Sequence, residues 1–304
     1  MMAKIKEKKH GSNHLIESKG ERVFNVTMII LGIIITLVVL YPIYYTFIAS
    51  ISKPLYVENG SVMFLPKGIN FESYKKAFTT PNIWVAYGNT FFYTIFGVLF
   101  NMVLTTTMAY ALSKKRLIFR KFWVLFTVFT MWFSAGMIPL YLTFRDYHMI
   151  NSRLSIILGF GINTYNLIIM KSFFEQLPES LEEAAFIDGA NNLTIFAKIY
   201  MPLSKPALAT VGMFYAVNRW NGYFWPMNLL QDDSKMPLQV LLKKLIVDRV
   251  ANEAEAEIIT SLSTTSPTTV IYAIIIFAII PIIVVYPFVQ KYFKTGMTLG
   301  AVKG

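Results

Sequence analysis

Six long apolar stretches constrain this chain more than any other feature of its sequence. A helix needs about 20 apolar residues to cross the hydrocarbon core of a bilayer. Six segments reach or approach that length: 24–49, 84–112, 122–144, 154–174, 207–230 and 267–289. Backbone groups in lipid must be satisfied internally, and a helix does this within one segment. The sequence therefore predicts an all-α polytopic membrane protein with six transmembrane helices.

Composition agrees with this fold class and excludes several functions. Only 15% of the 304 residues are charged, whereas soluble chains average about 25%. The chain has no cysteine, which excludes disulfides, thiolate metal sites and cysteine nucleophiles. Its three histidines show no metal-ligand spacing, and it has neither a Walker lysine motif nor a GxSxG elbow. We therefore expect no enzyme activity and no bound cofactor, and any ATP hydrolysis must come from another chain.

The net charge of +11 has two interpretations. In a soluble protein it would indicate nucleic acid as a partner. Membrane proteins, however, concentrate Lys and Arg in their cytoplasmic loops, and most aromatic residues here lie in the apolar stretches. We therefore expect contact with membrane lipid and none with nucleic acid.

The distribution of Lys and Arg predicts the orientation. If the N-terminus is inside, the cytoplasmic segments are 1–22, 113–121, 171–206 and 290–304, and they hold 17 of the 28 basic residues. The outside segments are 51–82, 145–154 and 231–266, and they hold 10. We expect a short helix at 71–78 in the first of them and an amphipathic surface helix at 238–256 in the last. The excess favours the orientation with both termini inside, and with the six apolar stretches it predicts a multi-pass protein of the cell membrane. In this scheme a six-helix domain, 23–289, lies between cytoplasmic tails at 1–22 and 290–304. The apolar run at 24–49 exceeds the apolar h-region of a signal peptide, which has about 7–15 residues, and is interpreted as a retained anchor.

The cytoplasmic loop 175–206 has unusual local patterning. Pro178 suits a first helical position, and Ser180 with Glu183 has the spacing of a capping box, which would start the helix slightly later. Gly189 then allows the chain to turn. A second short helix is predicted over roughly 192–200, and Pro202 is predicted to end it.

Two interpretations of this loop follow from its periodicity. It is a helical hairpin lying against the membrane surface, or it is a protrusion that docks into a groove of another protein. Periodicity alone favours the hairpin and leaves the second interpretation open.

A spaced motif in this loop carries a resemblance. Glu183-Ala184-Ala185 is followed after three residues by Gly189, and nine residues later by Ile199-x-Met201-Pro202. This resembles the EAA loop of permeases in ATP-binding-cassette (ABC) importers, with the pattern Glu-Ala-Ala, three residues, Gly, nine residues, Ile-x-Leu-Pro. The one departure is Met201 in place of Leu, which conserves volume.

Flanking residues resemble the carbohydrate branch of that family, which includes the second permease of maltose-type systems. They are Ile187-Asp188-Gly189-Ala190 and the segment 202–206. The residues 286–293 and 300–304 are similar to permeases for complex oligosaccharides. The similarity extends over nearly the whole chain.

The resemblance implies a MetI-like fold and a set of partners. It implies a second homologous permease, two ABC ATPase subunits that carry ATP and Mg, an extracellular solute-binding protein and a sugar substrate. It also implies that the loop enters a groove on the ATPase as a coupling helix. The residues assigned to this coupling are Glu182, Glu183, Ala184, Ala185, Asp188, Gly189, Ile199 and Pro202.

The fifth apolar stretch is rich in groups that bind sugars. Aromatic faces, amides and a guanidinium are gathered there, which predicts a substrate pathway lined by Asn218, Arg219, Trp220, Asn221, Tyr223, Trp225 and Asn228. The alternative is helix packing with an aromatic belt at the interface. An arginine near mid-span usually faces a cavity. No acidic residue of the six stretches can pair with Arg219, so its partner is water, the second permease, a backbone carbonyl or the substrate, unless it snorkels to the interface.

Other functions remain as alternatives. An ABC permease for peptides or amino acids would share the loop. A secondary transporter often places acidic groups at mid-membrane, and none of the six stretches contains Asp or Glu. A membrane-embedded enzyme would need an acid–base or metal constellation, which the sequence lacks.

Overall fold

Every regular element in the described part of the chain is helical. The computed structural model describes residues 19–251 and 265–301. Its α-helices are α1 (Lys19–Ser50), α2 (Pro54–Glu58), α3 (Glu72–Thr79), α4 (Pro81–Ser113), α5 (Arg120–Trp132), α6 (Met137–Asp146), α7 (Arg153–Leu158), α8 (Thr164–Glu175), α9 (Glu179–Ile187), α10 (Asn192–Ile195), α11 (Met201–Leu203), α12 (Lys205–Asn221), α13 (Phe224–Leu229), α14 (Leu238–Ala251) and α15 (Pro267–Ala301). A π-helix, Phe196–Tyr200, joins α10 to α11, and a 3₁₀ turn, Asp233–Lys235, precedes α14. The second predicted loop helix therefore continues through Pro202 to Leu203, because a proline is tolerated in the first turn of a helical segment.

Three of the described helices are long and apolar enough to cross a membrane unbroken. They are Gly20–Ser50 within α1, Pro81–Ser113 (α4) and Pro267–Pro287 within α15. The pair α5 and α6 qualifies only as one span bent by 111°. The remaining two predicted stretches are each divided into a pair of shorter helices. The all-α fold class is confirmed, whereas the count of six spans is not.

Short irregular segments cause these divisions. Gly136, with φ +86°, starts α6 in a conformation that other residues avoid. Residues 159–163 separate α7 from α8, and the side chain of Asn163 caps α8 by accepting from the Asn166 amide at 3.1 Å. Gly222 ends α12 with extended backbone at ψ 116°. Hydropathy windows average over such breaks, which is why the sequence predicted continuous spans.

The core lies around α4. This helix packs against α8, α12 and α7, and α12 also packs against α15. Fully buried apolar side chains of these helices form the centre of the core: Ala109, Leu167, Met170 and Val211. Helix α1 instead contacts mainly α15, and the apolar window of α1 is entirely exposed on this chain. An apolar helix of this kind needs lipid or another subunit as its environment.

The segments between the long helices agree in part with expectation. The short helix predicted near 71–78 is α3. A helix is found in the segment 238–256 as α14, which buries Leu238, Val240 and Leu242. Its apolar and charged side chains do not separate into two faces, so the predicted amphipathic character is wrong for the described residues; residues 252–256 lie outside them. The predicted tail 290–304 begins inside α15, since this helix continues to Ala301.

Candidate functional site

In the loop between α8 and α12, the chain leaves helix α9 and turns at Gly189, as the sequence predicted. Helix α9 ends in a Schellman motif, in which Ala190 N donates to Ala185 O at 2.9 Å and Gly189 N donates to Phe186 O at 3.0 Å. Gly189 has φ +80°, and a glycine adopts this conformation at little cost. The glycine of the motif therefore has a conformational reason for its position.

The start of α9 differs from the prediction. Pro178 is the N-cap and makes no side-chain capping bond, so the predicted capping box of Ser180 and Glu183 is wrong. Ser180 already lies inside the first turn, because the helix begins at Glu179. Acidic residues in that turn, Glu179 and Glu182, are favourably placed for the helix dipole.

The carboxylate of Glu182 joins three elements. Its residue is only 9% exposed. It pairs with Lys114 at the end of α4, forms an ion pair with Arg116 at 3.0 Å, and accepts from the Tyr200 hydroxyl of the π-helix at 2.9 Å. The Lys114 ammonium lies 4.1 Å and 3.7 Å from the ring centroids of Tyr110 and Tyr200. We call Lys114, Arg116, Glu182 and Tyr200 the Glu182 cluster.

Electrostatics favour the ionised carboxylate in this cluster. Burial by itself raises the pKa of Glu182, but hydrogen bonds from Lys114 and Tyr200 and the charges of Lys114 and Arg116 outweigh it and hold the pKa below its usual value. Burial and the hydrogen bond to Glu182 both raise the pKa of Tyr200. At neutral pH the cluster therefore contains a charged carboxylate and a protonated phenol.

The basic turn after α4 has further partners in the loop. Lys115 pairs with Glu179 at 2.8 Å, and Arg120 pairs with Glu175 at the end of α8. Sequence reasoning used this turn only as evidence of orientation and missed its structural role. The five basic residues at 114–121 and the acids at 175–183 have complementary charge, and this complementarity could have indicated the contact.

The residues predicted to couple the loop to an ATPase divide between two faces. An outer face carries exposed side chains or backbone at Glu183, Ala184, Asp188, Gly189 and Pro202. Two large apolar side chains of the loop are also exposed: Ile187 on α9 is 86% exposed, and Leu193 on α10 is 73% exposed. Glu182 points inward, and Ala185 and Ile199 pack against the core. The loop is thus anchored on one side and open on the other.

Two predicted pathway residues share a groove. Asn221 and Tyr223 line a cavity of about 350 Å³ together with Gln239 and Lys243 of α14 and apolar residues of α14 and α15. Asn218, one turn earlier on α12, is also exposed. The groove combines an apolar wall with a few polar groups, which is typical of small-molecule sites.

Three other predicted pathway residues pack or bond within the chain. Trp220 is buried and donates its indole N–H to Ala278 O of α15 at 3.1 Å. Trp225 is half-buried, with its ring 5.5 Å from that of Phe160. Asn228 donates to Phe224 O within α13 at 2.6 Å.

Arg219 is occupied by acceptors within the chain. It donates to Asn101 Oδ1 at 3.0 Å, to Phe160 O at 3.0 Å, to Ile157 O at 3.2 Å and to Ile156 O. The sequence left four kinds of partner open for Arg219, and the structure shows one of them, backbone carbonyls, bound to its guanidinium. A direct role of Arg219 in the substrate pathway stays a prediction.

Comparisons with known proteins agree with this architecture. Residues 18–299 match the family described as binding-protein-dependent transport system inner membrane component. The chain is 38% identical over 279 residues to the polygalacturonan/rhamnogalacturonan transport system permease protein YtcP of Bacillus subtilis (strain 168), an alignment that covers 91% of this chain and 98% of that protein. It is 36% identical over 290 residues to Protein LplC of the same strain, covering 94% of this chain and 97% of that one.

A solved structure shows the same fold. A chain in the crystal structure of a bacterial ABC transporter involved in the import of the acidic polysaccharide alginate is 46% identical and superposes with a TM-score of 0.85. The match covers 91% of this chain and 99% of that chain. The predicted resemblance to ABC importer permeases and the MetI-like fold are confirmed. The chain therefore belongs to the family of binding-protein-dependent transport system inner membrane components.

Proposed function

We propose that this chain is a permease subunit of an ABC importer for acidic oligosaccharides. Carbohydrate import is supported by the relatives, and two of them concern polymers of sugar acids: polygalacturonan/rhamnogalacturonan and alginate. The alternatives of a peptide or amino-acid permease and of a secondary transporter are not favoured by these relatives. An acidic substrate requires positively charged side chains along the pathway.

The groove of Asn221, Tyr223, Gln239 and Lys243 supports an acidic substrate. Its ammonium group suits a uronate carboxylate, because charge-assisted hydrogen bonds are stronger than neutral ones. Its amide and phenol groups suit sugar hydroxyls. The seven residues predicted for the pathway then divide into those that face the groove or solvent and those that hold α12 and α13 against their neighbours.

The division of α9 into an anchored and an exposed face is the observation that supports coupling. We propose that the outer face, with Ile187 and the acids Glu183 and Asp188, docks into a groove on one of two ATPase subunits that bind ATP and Mg. Buried apolar side chains contribute most of such an interface, with the acids at its rim. The Glu182 cluster then passes the displacement of α9 to α4, because a buried ion pair with several hydrogen bonds leaves little room for relative motion.

The remaining partners follow from the family resemblance. A second homologous permease completes the pathway, and an extracellular solute-binding protein delivers the sugar. The loop and the basic turn at 114–121 lie on the same side of the chain, since Glu182 and Glu179 pair with that turn. This supports the proposed orientation, with the coupling loop and both termini in the cytoplasm.

Transport by the reconstituted complex tests the substrate class. The chain would be assembled with its second permease and two ATPases in liposomes, and the binding protein would be added outside. We expect ATP-dependent uptake of oligogalacturonate or oligoalginate to exceed that of the same oligosaccharides with reduced, neutral carboxyl groups. Lys243→Met should lower uptake of the acidic forms selectively.

Lys244→Met is the matched control for that variant. Lys244 is adjacent on α14 but pairs with Asp233 at 2.8 Å and does not line the groove. Faster uptake of the neutral oligosaccharides would contradict the acidic substrate class. Equal effects of the two lysine variants would contradict the role of the groove.

A further inference from the structure

Arg219 carries a partly buried charge, and no acidic side chain in the described ranges forms an ion pair with it. Its guanidinium instead donates to carbonyls of Ile156, Ile157 and Phe160, at the end of α7 and just beyond it. The last carbonyls of a helix have no partner within it and carry partial negative charge. A guanidinium with several donors in one plane matches such a set of acceptors.

Asn101 of α4 completes this arrangement from the other side. Its Oδ1 accepts from Arg219 Nε at 3.0 Å, and its Nδ2 donates to Phe160 O at 2.5 Å and to Gly161 O at 2.7 Å. The side chain is fully buried. Arg219 and Asn101 together therefore bind the carbonyls at the end of α7 and in the segment that separates it from α8.

Gly97 gives the guanidinium room to lie against α4. A Cβ atom at this position would lie 2.9 Å from Arg219 Nε and 3.2 Å from its Cδ, closer than carbon and nitrogen atoms pack without a shift. The lack of a side chain at Gly97 is thus part of the same arrangement. A methyl group at Gly97 would displace the Arg219 side chain without changing any residue that lines the groove of Asn221 and Tyr223.

The segment held in this way supports one of the predicted pathway residues. Phe160 lies in it, and its ring centroid is 5.5 Å from that of Trp225 and 5.7 Å from that of Phe144. The segment also begins α8, where Asn163 N donates to the Tyr215 hydroxyl at 3.0 Å. The position of Trp225 thus depends on where residues 159–163 are held.

We propose that Arg219 is a positioning residue that fixes the α7–α8 break and, through Phe160, the Trp225 ring, and that it does not bind the sugar. Asn101 and Gly97 act with it. The effect on transport rests on the proposed function, whereas the geometry of the break does not. Two readouts are therefore needed, one of the break itself and one of transport.

Thiol labelling reports on the break. The chain has no cysteine, so Ile162→Cys, at a position 41% exposed in the break, provides a single reactive site in a transporter whose partner subunits also lack cysteine. We expect Arg219→Met to raise its rate of labelling by a membrane-permeant maleimide at least about tenfold, because bonds to charged donors are among the stronger hydrogen bonds. Gly97→Ala should raise the rate in the same direction, and Arg219→Lys should have an intermediate effect.

Val217→Ala is the control, because Val217 is an exposed neighbour on α12 that makes no hydrogen bond to the break. It should leave labelling and uptake unchanged. Unchanged labelling in both Arg219→Met and Gly97→Ala would overturn the proposal. If Arg219→Met does not assemble, Gly97→Ala and Arg219→Lys decide the same question.

Uptake measured in a double-mutant cycle separates positioning from direct sugar binding. If Arg219 acts through Phe160, the double variant Arg219→Met/Phe160→Ala should transport no worse than the more impaired single variant, because effects through one shared contact do not add. If Arg219 binds the sugar directly, the two losses should multiply, and that result would overturn the proposal. A parent complex with no uptake at all would instead contradict the proposed function and leave the labelling result valid.

Discussion

Removing the charge of Glu182 should release α9 from α4. In Glu182→Gln, Lys114 loses the carboxylate that it contacts. This loss is costly because the side chains of Lys114 and Glu182 are only 10% and 11% exposed. Breaking a buried ion pair by changing one partner costs about 3–5 kcal/mol. Because the amide oxygen of glutamine still accepts a hydrogen bond, we expect a local cost at the lower end of that range, about 3 kcal/mol. This corresponds to more than a hundredfold in the opening equilibrium of the loop.

Glu179→Gln is the matched control within the same helix. Its partner Lys115 lies at 2.8 Å, but the two side chains are 77% and 61% exposed, and exposed pairs contribute only about 0–1 kcal/mol. The assay is hydrogen exchange of the α9 amides in the assembled transporter, together with sugar transported per ATP hydrolysed. Exchange should accelerate and the transport ratio should fall in Glu182→Gln far more than in Glu179→Gln. Equal behaviour of the two variants would refute the anchoring role of the Glu182 cluster.

Three further predictions concern the same loop and the topology. Gly189→Ala should lower transport per ATP, because a left-handed conformation costs about 1–2 kcal/mol in other residues; Gly88→Ala in α4, where a Cβ meets nothing within 4 Å, is the control and should have no effect. The protection of α9 amides should be fully present above the ordinary carboxyl pKa of 4.5 and should be lost only as the pH falls through the lowered pKa of Glu182; loss near neutral pH would contradict this. A cysteine at Ser61 should react with an impermeant thiol reagent in intact cells and one at Lys115 should not, and the reverse pattern would contradict the orientation.

Hydrophobicity predicted the helical class but not the breaks within the helices. The stretch at 154–174 contains Gly159 and Gly161, which the sequence reasoning passed over because the window stayed apolar. The capping box at Ser180 had the correct spacing and still did not form, since α9 begins one residue earlier than Ser180. Local motifs of this kind compete with neighbouring alternatives, and tertiary contacts decide between them.

The spacing of the loop motif predicted the turn at Gly189, because that residue is determined by local backbone conformation. The partners of Glu182 and Arg219 were beyond prediction from spacing. They depend on contacts between residues far apart in the chain, from Lys114 to Glu182 and from Asn101 to Arg219. The sequence restricted Arg219 to four kinds of partner, and the fold was needed to select backbone carbonyls.

Crosslinking of α9 to the ATPase tests the central claim most directly. A cysteine introduced at Ile187, which is 86% exposed on the outer face, should crosslink to a cysteine in the ATPase groove within the assembled transporter. A cysteine at Leu65, which is 71% exposed on the predicted outside segment, should not. Efficient crosslinking at Ile187 alone is the predicted result. Absence of crosslinking at Ile187 in a complex that transports sugar would contradict the proposal that this helix couples the permease to ATP hydrolysis.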